Sequence, residues 1–493
     1  MAKHLKKFRL ILAWLMFSVV VMAFFGVITA KPIEIQLLPA LLAANILALG
    51  IILLLTILFG RIYCSVICPL GIWQDVLIFF GNKRKGANKR GFAPAHTKIR
   101  LAVLAIFAVS LVAGVAAVPI FLDPYSIFGR FMTNLFAPAL ELSVNNLQPF
   151  LYEHGIDILN KYDFVFMGEA ALATAAAYFI VISLLAFFRG RLYCNAFCPV
   201  GTLLSVFSRR ALFKPHFEDN CISCKMCERK CPANCIDVGS KTIDYSRCVS
   251  CFDCMAACPK GAMDFGIAAK KIEDDGTAVN LSRRELIVTS AVAALGAVGA
   301  LTKTGRSAAI GTAPEKVSRP PGAINYGEFS QKCTACHLCV ERCPNGIIKP
   351  ANLEYGLGGI FQPRLDFTYG YCSETCNECG KACPSGAIKE IALDKKTTFM
   401  IGKAVYDKES CLVTTKGARC GACSWRCPVH AIEMTPAEDG RSYPKVSHKL
   451  CIGCGACEYH CPASPKAMRV HGIEEQHEKG KGKKNSEKNA DNI

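Results

Sequence analysis

Cysteine spacing constrains this chain more than any other feature. Of its 29 cysteines, all but Cys235 fall into six groups of four or two pairs, and every group ends in Cys-Pro. Disulfide-rich scaffolds are usually short secreted domains without such repetition. We therefore interpret the cysteines as ligands of metal ions or clusters, and Cys235 as a packed thiol.

The first two groups have the spacing C-x2-C-x2-C-x3-C-P, in CISCKMCERKCP at 221–232 and CVSCFDCMAACP at 248–259. In this bacterial ferredoxin run the fourth cysteine binds the other cluster. A zinc ribbon would need two CxxC pairs instead. The spacing predicts one [4Fe-4S] cluster on Cys221, Cys224, Cys227 and Cys258, and another on Cys248, Cys251, Cys254 and Cys231.

Four further groups follow, two of them with a longer first gap. Their predicted ligands are Cys333, Cys336, Cys339, Cys343, Cys372, Cys376, Cys379, Cys383, Cys411, Cys420, Cys423, Cys427, Cys451, Cys454, Cys457 and Cys461. The stretch CTACH at 333–337 is formally a haem attachment motif, but Cys339 and Cys343 complete a ferredoxin run around it. The sequence thus predicts six [4Fe-4S] clusters.

Four uncharged apolar segments lie at 10–30, 37–59, 101–122 and 170–188. About 20 apolar residues span a bilayer as a helix, so we predict four membrane spans. Lys and Arg are concentrated before 10, within 60–100 and after 188, which places these parts in the cytoplasm and 123–169 outside. The net charge of +18 is explained by such flanking residues, and we expect no nucleic-acid partner.

A fifth apolar segment, LSRRELIVTSAVAALGAVGAL at 281–301, begins with Arg283 and Arg284. It is interpreted as an internal twin-arginine export signal, which would carry a folded, cluster-loaded domain outwards. The alternatives for this segment are a buried helix, a linker or a fifth membrane span. Cleavage of the chain after the segment also stays open. The polar tail lacks periodicity and is predicted to be disordered.

The predicted fold class is an α-helical membrane domain, with four spans plus a fifth, joined to α+β bacterial-ferredoxin-like domains. The predicted organisation is a four-span domain at 1–202, a cytoplasmic 2[4Fe-4S] domain at 203–270, the twin-arginine segment at 280–305, a periplasmic 4[4Fe-4S] domain at 320–472 and the tail at 473–493.

With these motifs, residues 1–270 resemble the NapH-type membrane quinol dehydrogenase subunit, and 280–470 resemble the NapG-type or MauM-type periplasmic ferredoxin. The CxxxCP motifs are shared with NosR and CcoG-like families. The resemblance implies a protein of the bacterial cytoplasmic membrane that oxidises a quinol, menaquinol above all. Electrons would pass to a periplasmic c-type cytochrome or terminal reductase. No catalytic residue or quinone site is assigned.

The gaps in the last four groups also resemble four-cluster ferredoxin subunits of respiratory molybdenum enzymes. That resemblance implies pairing of the outer groups with each other and of the inner groups with each other. Cys461 would then complete the site of Cys333, Cys336 and Cys339, and Cys343 that of Cys451, Cys454 and Cys457. Cys427 would complete the site of Cys372, Cys376 and Cys379, and Cys383 that of Cys411, Cys420 and Cys423. Pairing of neighbours in sequence is the alternative.

Two other functions remain open. One is a relay in which a cytoplasmic ferredoxin reduces quinone, and the other is a CcoG-like metal or cofactor maturation factor. A direct conduit also faces a physical limit. The hydrocarbon layer is about 30 Å thick, which requires an intermediate electron carrier between the two ferredoxin domains.

Two cysteine pairs stand apart from the six groups, in GRIYCSVICPLG at 60–71 and GRLYCNAFCPVG at 190–201. Each follows an even-numbered span, so the two-span units are parallel repeats. Their symmetry would bring Cys64, Cys68, Cys194 and Cys198 together as a four-thiolate site. We interpret it as a seventh cluster or a redox-active thiol centre, with structural thiols as the alternative.

Overall fold

The computed structural model describes residues 2–83, 91–154, 167–267 and 317–479. The predicted export segment, with Arg283 and Arg284, lies outside the described residues, so that prediction stays open.

The first part of the chain is helical. Its helices are α1 (Ala2–Phe24), α2 (Leu37–Leu42), α3 (Ile46–Phe59), α4 (Tyr63–Val66), α5 (Pro69–Asn82), α6 (Thr97–Ala113), α7 (Ala117–Leu122), α8 (Pro124–Phe131), α9 (Ala137–Glu153), α10 (Glu169–Arg189) and α11 (Pro199–Ser208). A 3-10 turn covers Lys31–Ile35, and π-helical turns cover Met132–Phe136 and Tyr193–Phe197.

Two of the four predicted spans form long helices, and two are broken. Among the described residues, two helices are long and apolar enough to cross a membrane, His4–Phe24 and Glu169–Arg189. The segment 37–59 breaks before Asn45, whose side chain caps α3 by accepting the amide of Ala48 at 3.1 Å. The segment 101–122 breaks at Gly114, which ends α6 in the left-handed conformation. Asn45 and Gly114 therefore interrupt two segments that are continuous by hydropathy alone.

The domain predicted to hold two clusters follows directly, and we call it the two-cluster domain. Its elements are β1 (Phe213–Phe217), α12 (Met226–Lys230), β2 (Ile236–Asp237), β3 (Thr242–Ile243), α13 (Asp253–Ala257) and β4 (Met263–Ile267). The outer strands β1 and β4 pair antiparallel, and β2 and β3 form a hairpin between the two cysteine groups.

The domain predicted to hold four clusters, which we call the four-cluster domain, contains two such units. Its elements are α14 (Tyr326–Lys332), α15 (Leu338–Glu341), β5 (Ile348–Pro350), β6 (Pro363–Leu365), α16 (Glu378–Ala382), β7 (Phe399–Tyr406), α17 (Leu412–Lys416), α18 (Ala422–Trp425), β8 (Ile432–Pro436), β9 (Ser442–Val446), α19 (Ala456–Tyr459) and β10 (Met468–Glu478), with 3-10 turns at Leu357–Gly359 and Leu393–Thr398. Strand β10 pairs antiparallel with β7.

The prediction of a disordered tail from 473 onwards is wrong for its first residues. Strand β10 continues to Glu478, which pairs with Phe399. Gln476 is buried, and its side-chain oxygen accepts the amide of Gly322 at 2.9 Å. The hydrophobic pattern does not reveal this strand. It is held by one buried side-chain amide and by backbone pairing, rather than by an apolar face.

The two ferredoxin domains pack at opposite ends of α1. Near its start, Lys6 forms an ion pair of 2.5 Å with Asp253 of the two-cluster domain. Just beyond its end, the carbonyl of Ile28 accepts a hydrogen bond of 3.3 Å from Arg342 of the four-cluster domain. At 1.5 Å per residue, the helix rises about 27 Å between residues 6 and 24, which is close to the hydrocarbon thickness of a bilayer.

Candidate iron–sulfur sites

The structure assembles the two sites of the two-cluster domain from the predicted residues. One cavity is lined by Cys221, Cys224, Cys227 and Cys258. The other is lined by Cys231, Cys248, Cys251 and Cys254, together with Cys235. The Sγ atom of Cys235 lies 3.5 Å from that of Cys231, so Cys235 is a neighbour of this site and not simply a thiol packed elsewhere.

The loops that carry the cysteines of the regularly spaced runs share one backbone conformation. Ser223, Lys225, Ser250 and Phe252 have positive φ angles of 52–62° on either side of the second cysteine of their runs. His337 repeats this in the first run of the four-cluster domain. Left-handed residues cost energy for side chains with a Cβ, and here they curl each short loop so that three thiols converge.

The pairing in the four-cluster domain corrects the one implied by the molybdenum-enzyme subunits. Neighbouring groups pair, not outer with outer and inner with inner. Cys343 lines a cavity with Cys372, Cys376 and Cys379, while Cys383 lies within electrostatic range of Cys333, Cys336 and Cys339. Cys461 lines a cavity with Cys411, Cys420 and Cys423, while Cys427 lies within electrostatic range of Cys451, Cys454 and Cys457.

Local hairpins explain this pairing. The β5–β6 hairpin separates the first two groups, and the β8–β9 hairpin separates the last two. Each hairpin turns the chain back so that the next group faces the previous one, as β2–β3 does in the two-cluster domain.

The donor sets fit iron–sulfur clusters. Each of the six sites gathers four cysteines, and backbone amides point at the sulfur of the fourth cysteine of several runs. Ala262 donates to Cys258 at 3.2 Å, and Ala431 donates to Cys427 at 3.2 Å. Amide donors of this kind stabilise the negative charge on cluster-bound sulfur and tune the reduction potential.

The structure also brings together the two pairs of the CxxxCP motifs. Cys64, Cys68, Cys194 and Cys198 are all buried, and Cys198 interacts electrostatically with the other three. We call this group the CxxxCP site. It lies within the helical domain, which comprises α1 to α11. There α4 meets α5, and the π-helical turn Tyr193–Phe197 meets α11.

Two arginines that were not among the predicted site residues connect the two repeats, each donating to a cysteine carbonyl of the other repeat. Arg61 of the first repeat donates to the carbonyl of Cys194 at 3.1 Å, and Arg191 of the second donates to the carbonyl of Cys64 at 2.7 Å. Both side chains have 0% exposure. The GR at the start of both motifs was the signal that could have identified them.

The glycine at the end of each motif permits this close packing. A Cβ at Gly71 would lie 2.1 Å from the carbonyl oxygen of Cys64, and one at Gly201 would lie 2.5 Å from that of Cys194. The same contact in both copies shows that the repeats fold alike, since no larger side chain fits against the cysteine carbonyl.

The CxxxCP motifs also contact the two-cluster domain directly. Ser250 donates through its hydroxyl to the carbonyl of Phe59 at 2.7 Å, and the amide of Arg191 donates to Pro232 at 2.8 Å. Arg61 donates to the carbonyl of Ser246 at 3.0 Å. These partners flank cysteines of one cluster site, that of Cys231, Cys248, Cys251 and Cys254.

The helical domain contacts the four-cluster domain through α8. All eight of its residues are buried. A Cβ at Gly129 would lie 2.2 Å from the carbonyl oxygen of Cys336, so only glycine allows this approach. Asp123 caps α8 by accepting the amide of Ser126 at 2.8 Å, and it lies within electrostatic range of both Cys68 and Cys336.

His337 anchors the same interface. Its Nδ1 lies 3.2 Å from the Asn134 side-chain nitrogen, and its Nε2 lies 3.0 Å from the carbonyl oxygen of Phe361. Burial, with the nearby Arg130 cation second, lowers the pKa of His337 to about 3. The imidazole is therefore neutral, with Nε2 donating to Phe361 and Nδ1 accepting from Asn134.

Family models match the same regions. A 4Fe-4S binding domain model matches 41–88 and 172–218, each with one CxxxCP motif, and another of that description matches 329–349. A 4Fe-4S dicluster domain model matches 220–262 and 418–464. No solved structure gives a significant match.

Among curated proteins, the chain is 34% identical over 161 residues to the methylamine utilization ferredoxin-type protein MauM of Methylobacillus flagellatus. This match covers 31% of the chain and 68% of the relative. The chain belongs to the MauM family of ferredoxin-type proteins. This MauM-family chain is also 35% identical over 113 residues to the ferredoxin-type protein NapG of Escherichia coli, across 22% of the chain and 47% of NapG.

An uncharacterized protein of Methanocaldococcus jannaschii is 26% identical to the MauM-family chain over 221 residues, across 43% of the chain and 73% of the relative. Together the family and the cysteine sites establish an iron–sulfur protein of electron transport that carries several [4Fe-4S] clusters. The relation of residues 1–270 to NapH-type, NosR and CcoG-like proteins stays a prediction.

Proposed function

We propose that this chain is a membrane-bound conduit that takes electrons from a quinol, menaquinol above all, and passes them to a periplasmic c-type cytochrome or terminal reductase. Six [4Fe-4S] clusters on the six cysteine groups would carry the electrons. The observation that carries this proposal is the placement of the two ferredoxin domains at opposite ends of α1.

Exposed apolar side chains support a membrane position for the helical domain. Ile46 and Leu47 on α3 are 83% and 76% exposed, and Val181 and Leu184 on α10 are about half exposed. Large apolar surfaces of this kind mark contact with a partner or with lipid. We propose that the broken segments 37–59 and 101–122 also lie within the bilayer, as protein-packed helices beside the two long ones.

One exposed residue in each ferredoxin domain supports a point where electrons enter or leave. Cys224 is exposed at the first site of the two-cluster domain, on the side that we assign to the cytoplasm. Trp425, between Cys423 and Cys427 of the four-cluster domain, is 83% exposed. An exposed tryptophan is a frequent anchor in protein interfaces, which suits docking of a periplasmic acceptor.

The exposed Cys224 also favours a second candidate function, in which a cytoplasmic ferredoxin supplies electrons that reduce quinone. Membrane vesicles separate the two. In the first function, a menaquinol analogue bleaches the cluster absorbance and reduced ferredoxin is not needed. If only reduced ferredoxin bleaches it, the quinol-oxidising function is wrong and the reverse relay stands.

Topology is tested separately with a reporter fused after residue 479, where β10 has ended. We expect periplasmic reporter activity that is lost in a strain without twin-arginine export, and also in the R283K/R284K variant. Cytoplasmic activity of the reporter would contradict the proposed sidedness of the four-cluster domain.

A further inference from the structure

We propose that Cys64, Cys68, Cys194 and Cys198 together hold one further [4Fe-4S] cluster, and that this cluster relays electrons between the two ferredoxin domains. The cluster itself is independent of the proposed quinol function, and its use as a relay rests on the conduit. Neither half-site suffices alone. Each matched 4Fe-4S binding segment, 41–88 and 172–218, contains only two cysteines, so four ligands arise only where the repeats meet.

Hydrogen-bond donors point at the sulfurs of the CxxxCP site. The amide of Gly201 donates to Cys198 Sγ at 3.3 Å, and the Gln74 side-chain nitrogen lies 3.2 Å from Cys194 Sγ. Arg61 Nη2 lies 3.8 Å from Cys64 Sγ. Donors converging on several sulfurs stabilise thiolates, which are the form that binds metal.

Charge supplies a second, independent observation. Among the described residues, Arg61 has hydrogen bonds to Asn195, to two backbone carbonyls and to Cys64, but no ion pair with a carboxylate. A fully buried guanidinium without a counter-charge is costly. Thiolates at the CxxxCP site would supply that negative charge.

Buried arginines beside the CxxxCP site carry positive charge that a cubane cluster would offset. Arg9 and Arg191 both pair with Asp75, at 2.7 Å in each case, which leaves one surplus positive charge, and Arg61 adds another. An oxidised [4Fe-4S] core with four thiolates carries two negative charges. On taking up one electron the core changes from the 2+ to the 1+ state, the sulfur ligands stay bound, and no proton transfer is required.

The position of the CxxxCP site suits a relay. One apolar cluster contains the four cysteines together with Cys251 of the two-cluster domain, and Cys336 of the four-cluster domain packs against it. On one side, the carbonyl of Ser246 accepts from Arg61 of the first motif, and Ser250 donates to Phe59 just before that motif. On the other, α8 and Asp123 separate it from Cys336. The site thus lies between the two domains, where a direct electron conduit requires an intermediate.

The test uses the full chain, purified without oxygen in detergent. Seven clusters of four irons give about 28 irons per chain, with equal sulfide, and six give about 24. We expect about 28 for the wild type and for the matched control Ser65→Ala, and about 24 for the C64A/C198A variant. Mössbauer spectra should assign the lost irons to one cubane.

A wild-type count of about 24, or one zinc or copper ion per chain at this site, would overturn the cluster. A second measurement addresses the relay without quinol. In proteoliposomes, a membrane-impermeant reductant reduces one ferredoxin domain, and the signals of the other are followed. Loss of transfer in C64A/C198A but not in Ser65→Ala supports the relay, and unchanged transfer overturns it. Failure of menaquinol to reduce any cluster would overturn only the proposed function.

Discussion

The guanidinium of Arg61 donates a hydrogen bond of 3.1 Å to the carbonyl of Cys194, which lies 133 residues further along the chain. Arg191 makes the equivalent contact in the opposite direction, to Cys64. The two repeats of the helical domain are therefore fastened at their cysteine motifs. Everything that we infer about the CxxxCP site depends on this crossed arrangement.

Replacement of Arg61 by glutamine should destabilise the helical domain. The change removes the Arg61 donor from the carbonyl of Cys194 and one of the two arginine donors from the carbonyl of Ser246. Leaving a buried carbonyl without its donor costs about 1–3 kcal/mol. The thermal unfolding midpoint in detergent should fall clearly. Arg210→Gln, at an exposed position, is the matched control and should leave the midpoint unchanged. Equal midpoints for both variants would argue against a structural role for Arg61.

Cluster pairing can be read from single-ligand variants. Because Cys343 lines a cavity with Cys376, Cys343→Ser and Cys376→Ser should alter the same electron paramagnetic resonance signal. Cys461→Ser should instead act on the site of Cys411. If Cys343→Ser and Cys454→Ser altered one shared signal, the outer groups would pair after all and the arrangement described here would be wrong.

A methyl group at Gly129 should loosen the docking of the four-cluster domain. In Gly129→Ala the new Cβ would lie 2.2 Å from the carbonyl of Cys336, so one backbone must move. Hydrogen exchange should rise in α8 and in the loop around Cys336. Gly358→Ala is the control, because nothing lies within 4 Å of its Cβ position. Identical exchange in both variants would contradict the close approach.

Gln476 should matter for the four-cluster domain although it lies in a polar tail. Its side chain accepts from Gly322 and donates to the carbonyls of Arg319 and Pro320. Gln476→Ala leaves these buried groups unpaired, at about 1–3 kcal/mol. Chemical denaturation followed by cluster bleaching should show the loss, whereas Glu475→Ala at the exposed neighbour should not. Removal of 480–493 should also leave stability unchanged.

Local spacing predicted which cysteines lie together within a group, but not how the later groups pair with one another. Three thiols on a short loop are determined by their own run, so the sites of Cys221 and Cys248 follow from sequence. The partner group of Cys343 depends on whether the chain between two groups forms a hairpin. Strands β5 and β6 form this hairpin with only three residues each. Such short strands leave almost no pattern in the sequence.

The apolar segments show the same limit. Hydropathy identifies 37–59 and 101–122 as apolar, but it does not register the cap at Asn45 or the left-handed Gly114. Arg61 and Arg191 were counted as cytoplasmic flanking charges, whereas both are fully buried. A single sequence does not distinguish an arginine at a membrane surface from one that spans two repeats.

The most direct test of the account is electron transfer between the two ferredoxin domains within a single chain. Proteoliposomes are sorted for one orientation, and a membrane-impermeant reductant is added on the side of the two-cluster domain. The account predicts that signals of the four-cluster domain, on the enclosed side, become reduced within the same population. Reduction confined to the two clusters on the exposed side, with the enclosed clusters still oxidised, would contradict it.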